Sequence, residues 1–340
     1  TEVNSMIFRK GEEVKLVVHD FTNPAFNLAC EEYFLKQGKG SYILLWRNEP
    51  SIIIGVNQNA YAELNMDYVE KNRIPIIRRQ TGGGAVFHDL GNLNFTFITE
   101  GVEGLADFKV FLEPVTDYLR SLGLDASFSG RNDILIDGMK VSGNAQAKYK
   151  QRTIFHGTML FSVSLNVLSK ALKPNPLKLK AKGISSVISR VTNIKDRLEK
   201  DMDIGAFTKG LQNHFMQTAS CRAYSLSDED LLAIRLLVKD KYSRWEWNIG
   251  HAPAYSMESS ALLSGGTVSL SFNVSKGLIS DIKITGDFFG MSDIGILEEK
   301  IKGTPHKQQD LLNLLEGPHI EFSDFIANTR ALDFVDMFFN

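Results

Sequence analysis

The segment from Ile74 to Ile98 constrains the fold more than any other part of the chain. It reads IPIIRRQTGGGAVFHDLGNLNFTFI, so an apolar run ends in Arg78 and Arg79 and is followed by three consecutive glycines. After a polar turn, apolar residues alternate with other residues up to Ile98. This order predicts a strand, a glycine loop and a second strand.

The glycine triplet, Gly82 to Gly84, has properties that suit an anion-binding loop. Without Cβ atoms the main chain can adopt positive φ, and a ligand can approach its N–H groups directly. We expect Arg78 and Arg79 at the rim of this loop, where a guanidinium can pair with phosphate or carboxylate. The alternative is a glycine-rich hairpin corner with two solvated arginines.

Two familiar nucleotide-binding motifs are absent from the sequence. No G-x-G-x-x-G occurs, and the residues after the triplet have the pattern of a strand where a dinucleotide fold has a helix. The phosphate loop of common NTPases needs Gly-Lys followed by Ser or Thr, and the triplet is not followed by it.

Composition sets the broad class of the protein. A chain of 340 residues predicts two domains, and 43% hydrophobic with 23% charged residues is ordinary for a globular protein. The net charge of −2 argues against a nucleic-acid partner. The two cysteines form no CxxC pair, which argues against a disulfide framework or zinc site. No apolar stretch has membrane-spanning length and no leader opens the chain, so we expect no membrane partner and a cytoplasmic protein.

Apolar spacing predicts the order of helices and strands along the chain. Helices are predicted at Ala25–Lys36, Asn65–Asn72, Asp107–Leu122, Ile204–Thr218, Asp228–Tyr242, Asp293–Lys300, Lys307–Leu315 and Ala331–Phe338. Paired strands are predicted at Ser41–Trp46 with Ser51–Val56, on either side of the Asp137-Gly138 turn, and at Thr267–Val274 with Ile279–Thr285; a further strand is predicted at Thr153–Ser162. Because the helical pattern breaks near Trp245–Pro253, we predict domains at residues 1–250 and 251–340.

The segment RRQTGGGAVFHDLGN resembles the signature of the lipoate-protein ligase family. Three further blocks agree with that family in order and spacing, and together they span about residues 20 to 195. These blocks are Asn27–Glu32 with Trp46–Asn48 and Ile54–Asn59; Arg131–Asp133 with Lys140–Ala145 and Phe155–Thr158; and Lys182–Val187 with Ser189–Asn193.

This resemblance implies an α+β fold, in which helices flank a mixed β-sheet as in the catalytic domain of biotin ligases and class II tRNA synthetases. The carboxy-terminal domain is then a small α/β accessory domain. The implied reaction consumes ATP with Mg²⁺, adenylates free lipoate to lipoyl-AMP with release of pyrophosphate, and transfers the lipoyl group to a lysine ε-amine. The implied acceptors are the lipoyl domains of E2 subunits and the glycine cleavage H protein.

The resemblance also assigns site residues. Lys140 matches the family's essential lysine, although composition alone makes it an exposed hairpin lysine. Arg79 matches a residue at the lipoyl end, and Asp133 holds either Mg²⁺ or the acceptor lysine. The other implied lipoate- and ATP-binding positions are Gly82, Gly83, Gly84, Val86, Phe87, His88, Asn132, His156, Gly157, Thr158 and Lys182.

Several assignments stay open at the level of sequence. Val86, Phe87 and His88 are expected beside the adenine, and His88 is also a candidate general base. Lys170–Lys182 is either a solvated linker or a flap that closes over the adenylate. The lipoate tunnel has lining candidates that could equally be core residues: Leu28, Trp46 and Ile54.

Three rival functions share most of these motifs. An octanoyltransferase needs a nucleophilic cysteine in the cleft, but Cys30 lies on a helix that is predicted to be packed and Cys221 lies beyond the motif region. A lipoyl amidotransferase would use the same fold without ATP, and a non-catalytic lipoate sensor would bind without reacting. The sequence leaves open the preferred carrier, the choice between lipoate and octanoate, and the oligomeric state.

Overall fold

The computed structural model describes residues 7–8, 12–100, 108–129, 132–172, 191–219, 221–251, 255–288 and 290–339. The contacts between residues divide the chain into two compact units. Unit 1 comprises Thr1–Val56 and Glu63–Arg244, and unit 2 comprises Asn57–Ala62 and Trp245–Asn340. A six-residue segment that follows the third strand therefore belongs to unit 2.

The elements are numbered in chain order. The strands are β1 (Val14–Val18), β2 (Ser41–Trp46), β3 (Ser51–Ile54), β4 (Ile76–Arg78), β5 (Val86–His88), β6 (Asn92–Glu100), β7 (Ala126–Ser129), β8 (Asp133–Ile136), β9 (Met139–Tyr149), β10 (Arg152–Leu160), β11 (Cys221–Tyr224), β12 (Tyr255–Leu263), β13 (Gly266–Ser275) and β14 (Leu278–Gly286). The α-helices are α1 (Pro24–Lys36), α2 (Ala60–Glu63), α3 (Met66–Lys71), α4 (Phe108–Ser121), α5 (Leu165–Ala171), α6 (Ile204–Thr218), α7 (Asp228–Leu237), α8 (Ile294–Ile301), α9 (Gln308–Leu315) and α10 (Ala331–Asp336). Two 3₁₀ turns cover Lys195–Arg197 and Phe322–Asp324, and two π-helical turns cover Val238–Tyr242 and Glu246–Gly250.

Unit 1 is built on an eight-stranded sheet in the order β11-β1-β2-β6-β10-β9-β8-β7. β1 runs parallel to β2 and β11, and the other pairs are antiparallel, so the sheet is mixed. With helices packed against it, this architecture confirms the predicted mixed sheet flanked by helices. A separate sheet has the order β4-β3-β5.

The two faces of the large sheet have different characters, because adjacent residues of a strand point to opposite faces. On one face Phe155 stacks on Phe111 of α4, with ring centroids 4.7 Å apart, and Phe97 meets Phe215 of α6 edge-on. These rings belong to the main hydrophobic core of unit 1. The opposite face carries His156 and packs against α1.

The predicted hairpin between Ser41–Trp46 and Ser51–Val56 is wrong. β2 pairs with β1 and β6, whereas β3 pairs with β4 and β5 in the smaller sheet. Apart from the serine that begins each strand, both segments are apolar, and both are completely buried, because each is a central strand of its own sheet.

The glycine loop does not close a hairpin corner. β4 and β5, the strands on either side of the loop, pair with opposite edges of β3 and not with each other. The loop therefore crosses over the end of β3. This crossing excludes the alternative of a simple hairpin corner for the glycine triplet.

The predicted β8–β9 hairpin and most predicted helices are confirmed. Asp137 and Gly138 both have positive φ, 51° and 74°, as a tight Asp-Gly hairpin turn requires. The helical segment that begins at Asp228 ends at Tyr242, and a separate π-helical turn covers Glu246–Gly250 within the region of the predicted break. β12 was not predicted, because its sequence YSMESSALL lacks β-branched residues.

Unit 2 is a small α/β unit, as predicted, with a three-stranded antiparallel sheet in the order β12-β13-β14. One face of β13 is buried in the core of the unit through Val268, Leu270, Phe272 and Val274. The segment from Asn57 joins this unit through Tyr61, whose hydroxyl donates to the carbonyl oxygen of His306 at 3.1 Å. Among the described residues, no helix is long and apolar enough to cross a membrane.

Candidate functional site

The glycine loop is held against the residues that follow β3. A Cβ atom on Gly55 would lie 2.2 Å from the carbonyl oxygen of Gly83, so Gly55 has to be glycine. The N–H of Val56 donates to the carbonyl oxygen of Thr81 at 2.9 Å. Gly83 has φ of 93°, which favours glycine at this position also. The loop therefore has one defined path over the end of β3.

Arg79 lies inside the loop and organises it. Its Nε donates to Oγ1 of Thr81 at 3.0 Å and its Nη1 to the carbonyl oxygen of Ile53 at 3.1 Å. Its Nη2 donates to the carbonyl oxygens of Gly82 and Gly84, at 2.6 and 2.9 Å. Only 6% of Arg79 is exposed, and burial lowers the pKa of its guanidinium to about 10. The loop thus folds around a buried cation.

Arg78 is buried as well, so the prediction that both guanidiniums stand at the rim of the loop is wrong. Its Nη1 donates to the carbonyl oxygens of Gly55 and Val56, both at 3.0 Å. Buried guanidiniums need several acceptors, and distant residues supply them here. Within the part of the chain that the structure describes, the N–H groups of Gly82 to Gly84 have no hydrogen-bond partner. Those N–H groups, with positive charge behind them, form a surface that is suited to an anion.

A buried hydrogen-bonded chain joins the loop to the sheet face that carries His156. Nε2 of His156 lies 2.7 Å from Oγ1 of Thr81, and Nδ1 lies 3.0 Å from Oε1 of Glu31. The hydroxyl of Thr96 donates to Glu31 and accepts from Nε1 of Trp46. Thr81, Thr96 and Glu31 were missed by sequence reasoning; the available signal was acidic residues in the otherwise apolar helix α1.

Lys140 and Asp133 face each other across the β8–β9 ladder. The Nζ atom of Lys140 lies 2.8 Å from Oδ1 of Asp133, and about a third of each side chain is exposed. The ladder pairs Asp133 with Gly143 and Leu135 with Lys140, which leaves Val141 as one extra residue on β9. Because paired residues share a face, this bulge brings Lys140 onto the face of Asp133 and buries Val141 in the core.

Residues predicted on β10 take two different positions. Thr158 lies on the same face as His156, and its Oγ1 accepts from the N–H of Gly143 at 3.2 Å. Gly157 faces the other way, beneath Asn144. Asn132 uses its amide internally, because its Nδ2 donates to the carbonyl oxygen of Asn144 at 2.6 Å. Sequence reasoning did not single out Asn144 as a site residue.

Lys140 and the glycine loop are on the same side of the large sheet. The Nζ of Lys140 would lie 3.2 Å from a Cβ on Gly143, so the side chain runs along that backbone. Ala145, two residues after Gly143 and on the same face of β9, pairs with His156 on β10. Since His156 contacts Thr81 of the loop, a continuous row of contacts on adjacent strands connects the two features.

The predicted adenine-binding residues form β5, which is an edge strand of the small sheet. Val86 is half-buried, whereas the side chains of Phe87 and His88 are buried. At an edge strand, main-chain N–H and C=O groups on the outer side are open to a ligand. The backbone of β5, and not its side chains, is therefore suited to bind a nucleobase.

The position of His88 does not suit a general base. Its Nδ1 accepts from Nδ2 of Asn48 at 3.0 Å, and its ring meets Trp46 edge-on. Burial, together with the positive charge of Arg79, lowers the pKa of His88 to about 3, so the imidazole is neutral at physiological pH. A buried neutral imidazole with only 2% exposure has no access to an incoming amine.

The structure describes the three residues predicted to line the lipoate tunnel, but it does not describe Lys182. Leu28, Trp46 and Ile54 are at most 3% exposed. The carbonyl oxygen of Ile54 accepts from the N–H of Arg79 at 3.0 Å, so this residue lies next to the loop. Lys182 and most of the predicted flap or linker lie outside the described residues.

For a metal, the described residues contain no group of three or more His, Cys, Asp or Glu side chains placed to bind an ion together. The partly exposed carboxylate of Asp133 is a single oxygen ligand on the face of Lys140. Mg²⁺ in nucleotide sites is commonly held by one or two carboxylates together with phosphate oxygens and water. The residues present therefore fit Mg²⁺ that arrives with ATP.

Two family models match the chain. The lipoyl protein ligase A/B catalytic domain matches residues 23–216, and the bacterial lipoate protein ligase C-terminus matches residues 252–338. The lipoate-protein ligase LplJ of Bacillus subtilis is 40% identical over 326 residues, which cover 94% of this chain and 98% of that protein. Lipoate–protein ligase 1 of Staphylococcus aureus is 43% identical over 291 residues, which cover 85% and 89%.

Solved structures agree with these matches. A bi-partite lipoate protein ligase of Thermoplasma acidophilum, studied with its E2 lipoyl domain, is 33% identical with a TM-score of 0.64, covering 70% of this chain and 97% of that one. A lipoate-protein ligase A bound with ATP is 31% identical with a TM-score of 0.62, covering 70% and 99%. A Thermoplasma acidophilum protein with bound lipoic acid is 31% identical with a TM-score of 0.60, covering the same shares.

Proposed function

The chain belongs to the lipoate-protein ligase family, and on this premise we propose how its residues perform an ATP-dependent ligation. In the first step a carboxylate oxygen of free lipoate attacks the α-phosphorus of ATP, and pyrophosphate leaves. In the second step the neutral ε-amine of a carrier lysine attacks the acyl carbon of lipoyl-AMP, AMP leaves, and the nitrogen loses a proton to solvent. Negative charge builds on the phosphate oxygens in the first step, so fixed cations and N–H donors are the main catalytic resource.

The observation that carries this proposal is the placement of Lys140 and the glycine loop on one side of the large sheet. Lys140 is the catalytic residue: its Nζ binds the lipoate carboxylate and an α-phosphate oxygen, then holds the acyl carbonyl of the adenylate. Gly82, Gly83 and Gly84 present free N–H groups to the same anionic centre. Arg79 contributes charge from behind these glycines through the hydrogen bonds that fix them.

Asp133 has two successive uses in this scheme. Its carboxylate would hold Mg²⁺ during adenylation, and the ion would neutralise phosphate charge and orient the leaving pyrophosphate. Asp133 is also within reach of an ammonium, since Lys140 already contacts it at 2.8 Å. The same carboxylate would therefore orient the acceptor lysine once pyrophosphate has left.

The two ends of the substrate complex have separate places. The acyl chain is assigned to the face bounded by Leu28, Trp46 and Ile54, next to the buried chain that includes His156. The adenine is assigned to the outer edge of β5, where the backbone of Val86 to His88 supplies donors and acceptors. Asn132 and Thr158 support the strands that carry Lys140 through their hydrogen bonds, and Gly157 leaves room for the side chain of Asn144. Lys182 is assigned to the phosphate.

We assign catalysis to residues 1–250 and an accessory role to residues 251–340. The acceptors proposed for this chain are the lipoyl domains of E2 subunits and the glycine cleavage H protein, and the proposed compartment is the cytoplasm. The relation to a ligase studied with its E2 lipoyl domain supports the first acceptor.

The cysteine-dependent rival is disfavoured by the state of both thiols. Cys30 is completely buried, and burial raises the pKa of its thiol well above the usual value. Cys221 is 6% exposed, and burial raises the pKa of its thiol to about 11. A nucleophilic cysteine needs a lowered pKa and access to substrate.

The test is to mix the protein with ATP, Mg²⁺ and lipoate in the absence of any carrier and to measure pyrophosphate. We expect a burst of about one pyrophosphate per protein, followed by transfer when an apo lipoyl domain is added. A transferase or a sensor would release none. The same assay with octanoate in place of lipoate determines chain selectivity.

A further inference from the structure

Two asparagines, Asn132 and Asn144, are joined to each other in both directions. The Nδ2 of Asn132 donates to the carbonyl oxygen of Asn144 at 2.6 Å, and the Nδ2 of Asn144 donates to the carbonyl oxygen of Asn132 at 2.9 Å. The Nδ2 of Asn144 also donates to Oγ of Ser142 at 3.0 Å. We call the reciprocal pair the asparagine clasp.

The clasp leaves the side-chain oxygen of Asn144 without a hydrogen bond. Asn144 is 6% exposed, and its Oδ1 is buried with no hydrogen-bond partner among the described residues. If the amide of Asn144 were turned over, Oδ1 would point at the carbonyl oxygen of Asn132, and two acceptors would face each other. The carbonyl oxygen of Asn132 therefore fixes the orientation of the amide. Oδ1 then occupies the space above Gly157, where a Cβ would lie only 1.7 Å away. Folded proteins leave few buried acceptors unsatisfied, so the orientation of this amide requires an explanation.

The position of the clasp indicates that explanation. Asn132 immediately precedes Asp133, and Asn144 follows Gly143, the ladder partner of Asp133. On the other side of this pair, the bulge at Val141 interrupts the ladder. The clasp therefore fixes the end of the ladder that the bulge leaves weakly held.

The Lys140–Asp133 contact needs such support. Both side chains are about one-third exposed, and an ion pair of that kind is worth on the order of 1 kcal/mol or less. A contact this weak does not hold two long side chains at 2.8 Å by itself. The backbone on either side has to place them.

We propose that Asn144 is a positioning residue of the ligation, which holds Asp133 against Lys140 through the asparagine clasp. This inference rests on the proposed function of Lys140 and Asp133. Asn144 lies on the opposite face of the sheet and touches neither substrate nor the reacting atoms. Its effect passes through the main chain of Asn132 to the carboxylate of Asp133.

The test compares Asn144→Ala, Ser142→Ala and Asp133→Asn. Asn144→Ala removes one direction of the clasp and also removes the unsatisfied acceptor, so we expect a melting temperature close to wild type. We expect the turnover number for lipoate-dependent pyrophosphate release to fall about tenfold, with the KM values of ATP and lipoate changed by less than about threefold. Ser142→Ala leaves the clasp in place and should retain the wild-type rate within about twofold.

A double-mutant cycle separates positioning from a purely structural role. If Asn144 acts through Asp133, adding Asn144→Ala to Asp133→Asn lowers the rate by less than about twofold. Independent multiplication of the two losses would overturn the proposal. Should Asn144→Ala fail to fold, Asn132→Ala removes the other direction of the clasp and is measured in the same cycle.

A structural measurement does not depend on activity. In a crystal structure of Asn144→Ala we expect the Lys140 Nζ to Asp133 Oδ1 separation to exceed 4 Å. A separation that stays at 2.8 Å would reject the proposal even if the wild-type protein proved not to be a ligase. Conversely, a wild-type protein that releases no pyrophosphate would reject the proposed function. The Lys140–Asp133 separation in Asn144→Ala would then still decide whether Asn144 positions Asp133.

Discussion

Replacing Gly55 by alanine tests whether the glycine loop has to follow the path seen here. A Cβ at this position would lie 2.2 Å from the carbonyl oxygen of Gly83 and 3.2 Å from the carbonyl carbons of Gly82 and Gly83. Real Cβ atoms do not approach an oxygen closer than about 3.0 to 3.2 Å, so the loop has to move by roughly 1 Å. The obstructing atom belongs to the main chain, and no side-chain rotation relieves the clash.

A displacement of that size is large for a loop that is proposed to bind the reacting phosphate. Misplacement of a reacting group by about 1 Å costs on the order of 100-fold in rate. We therefore expect Gly55→Ala to lower lipoate-dependent pyrophosphate release by about 30- to 100-fold. The rate should fall more steeply than the stability, because the loop is at the surface and can shift without opening the core.

The assay is the initial rate of pyrophosphate release, accompanied by thermal unfolding of the same samples. Gly205→Ala is the matched control, because it makes the same substitution at an exposed position of α6 where the nearest atom is a side-chain oxygen of Asp203 at 3.1 Å and not the main chain. Wild-type rate and stability in Gly55→Ala would refute the reasoning, since the loop would not then be held against Gly55.

Three further predictions concern charge and protonation. Arg79→Lys leaves two or three carbonyl oxygens without their guanidinium donor, of which that of Ile53 is buried, so it should lower the urea-derived free energy of unfolding by about 1–3 kcal/mol. Arg235→Lys, at an exposed position, is the control, and a change as small as that of the control would contradict the role of Arg79. Asp133→Asn should raise the Mg²⁺ concentration needed for half-maximal adenylation, and a defect confined to the transfer step would instead restrict Asp133 to the acceptor amine. Burial lowers the pKa of His88 from 6.5 to about 3. Between pH 6.5 and pH 3, His88 is therefore protonated in the unfolded chain and neutral in the folded chain. The free energy of unfolding should therefore fall as the pH is lowered from 6.5 towards 3, by up to roughly 4–5 kcal/mol, and should be free of this effect above pH 6.5. If the free energy of unfolding of His88→Gln falls with pH as steeply as that of wild type, the prediction is contradicted.

Local patterns predicted the elements whose structure depends on local physics. The Asp137-Gly138 turn was predictable because only certain residues tolerate positive φ at both positions. The helices were predictable where apolar residues repeat every three or four positions, as in α4. The hairpin between β2 and β3 was mispredicted because pairing partners lie far away in sequence, and an apolar run does not specify its neighbours.

The candidate site, too, was predictable where its features depend on neighbouring residues and not where they depend on distant ones. The glycine triplet and Lys140 were visible as a motif. The burial of Arg78 and Arg79 was not visible, because it depends on the carbonyl oxygens of Ile53, Gly55 and Val56, more than twenty residues earlier in the chain. The bulge at Val141 left no signature in the sequence, although it decides which face Lys140 occupies. Asn144 was part of a recognised motif, yet its role depends on Asn132, twelve residues earlier.

The most direct test of the account is exchange of labelled pyrophosphate into ATP, measured with and without lipoate. The wild-type protein and Lys209→Ala, an exposed lysine of α6, should both catalyse exchange that depends on lipoate. Lys140→Ala should fold normally and lose exchange by at least about 1,000-fold, because the developing phosphate charge loses its cation. Undiminished exchange in Lys140→Ala would contradict the central claim that this lysine and the glycine loop together form the adenylation site.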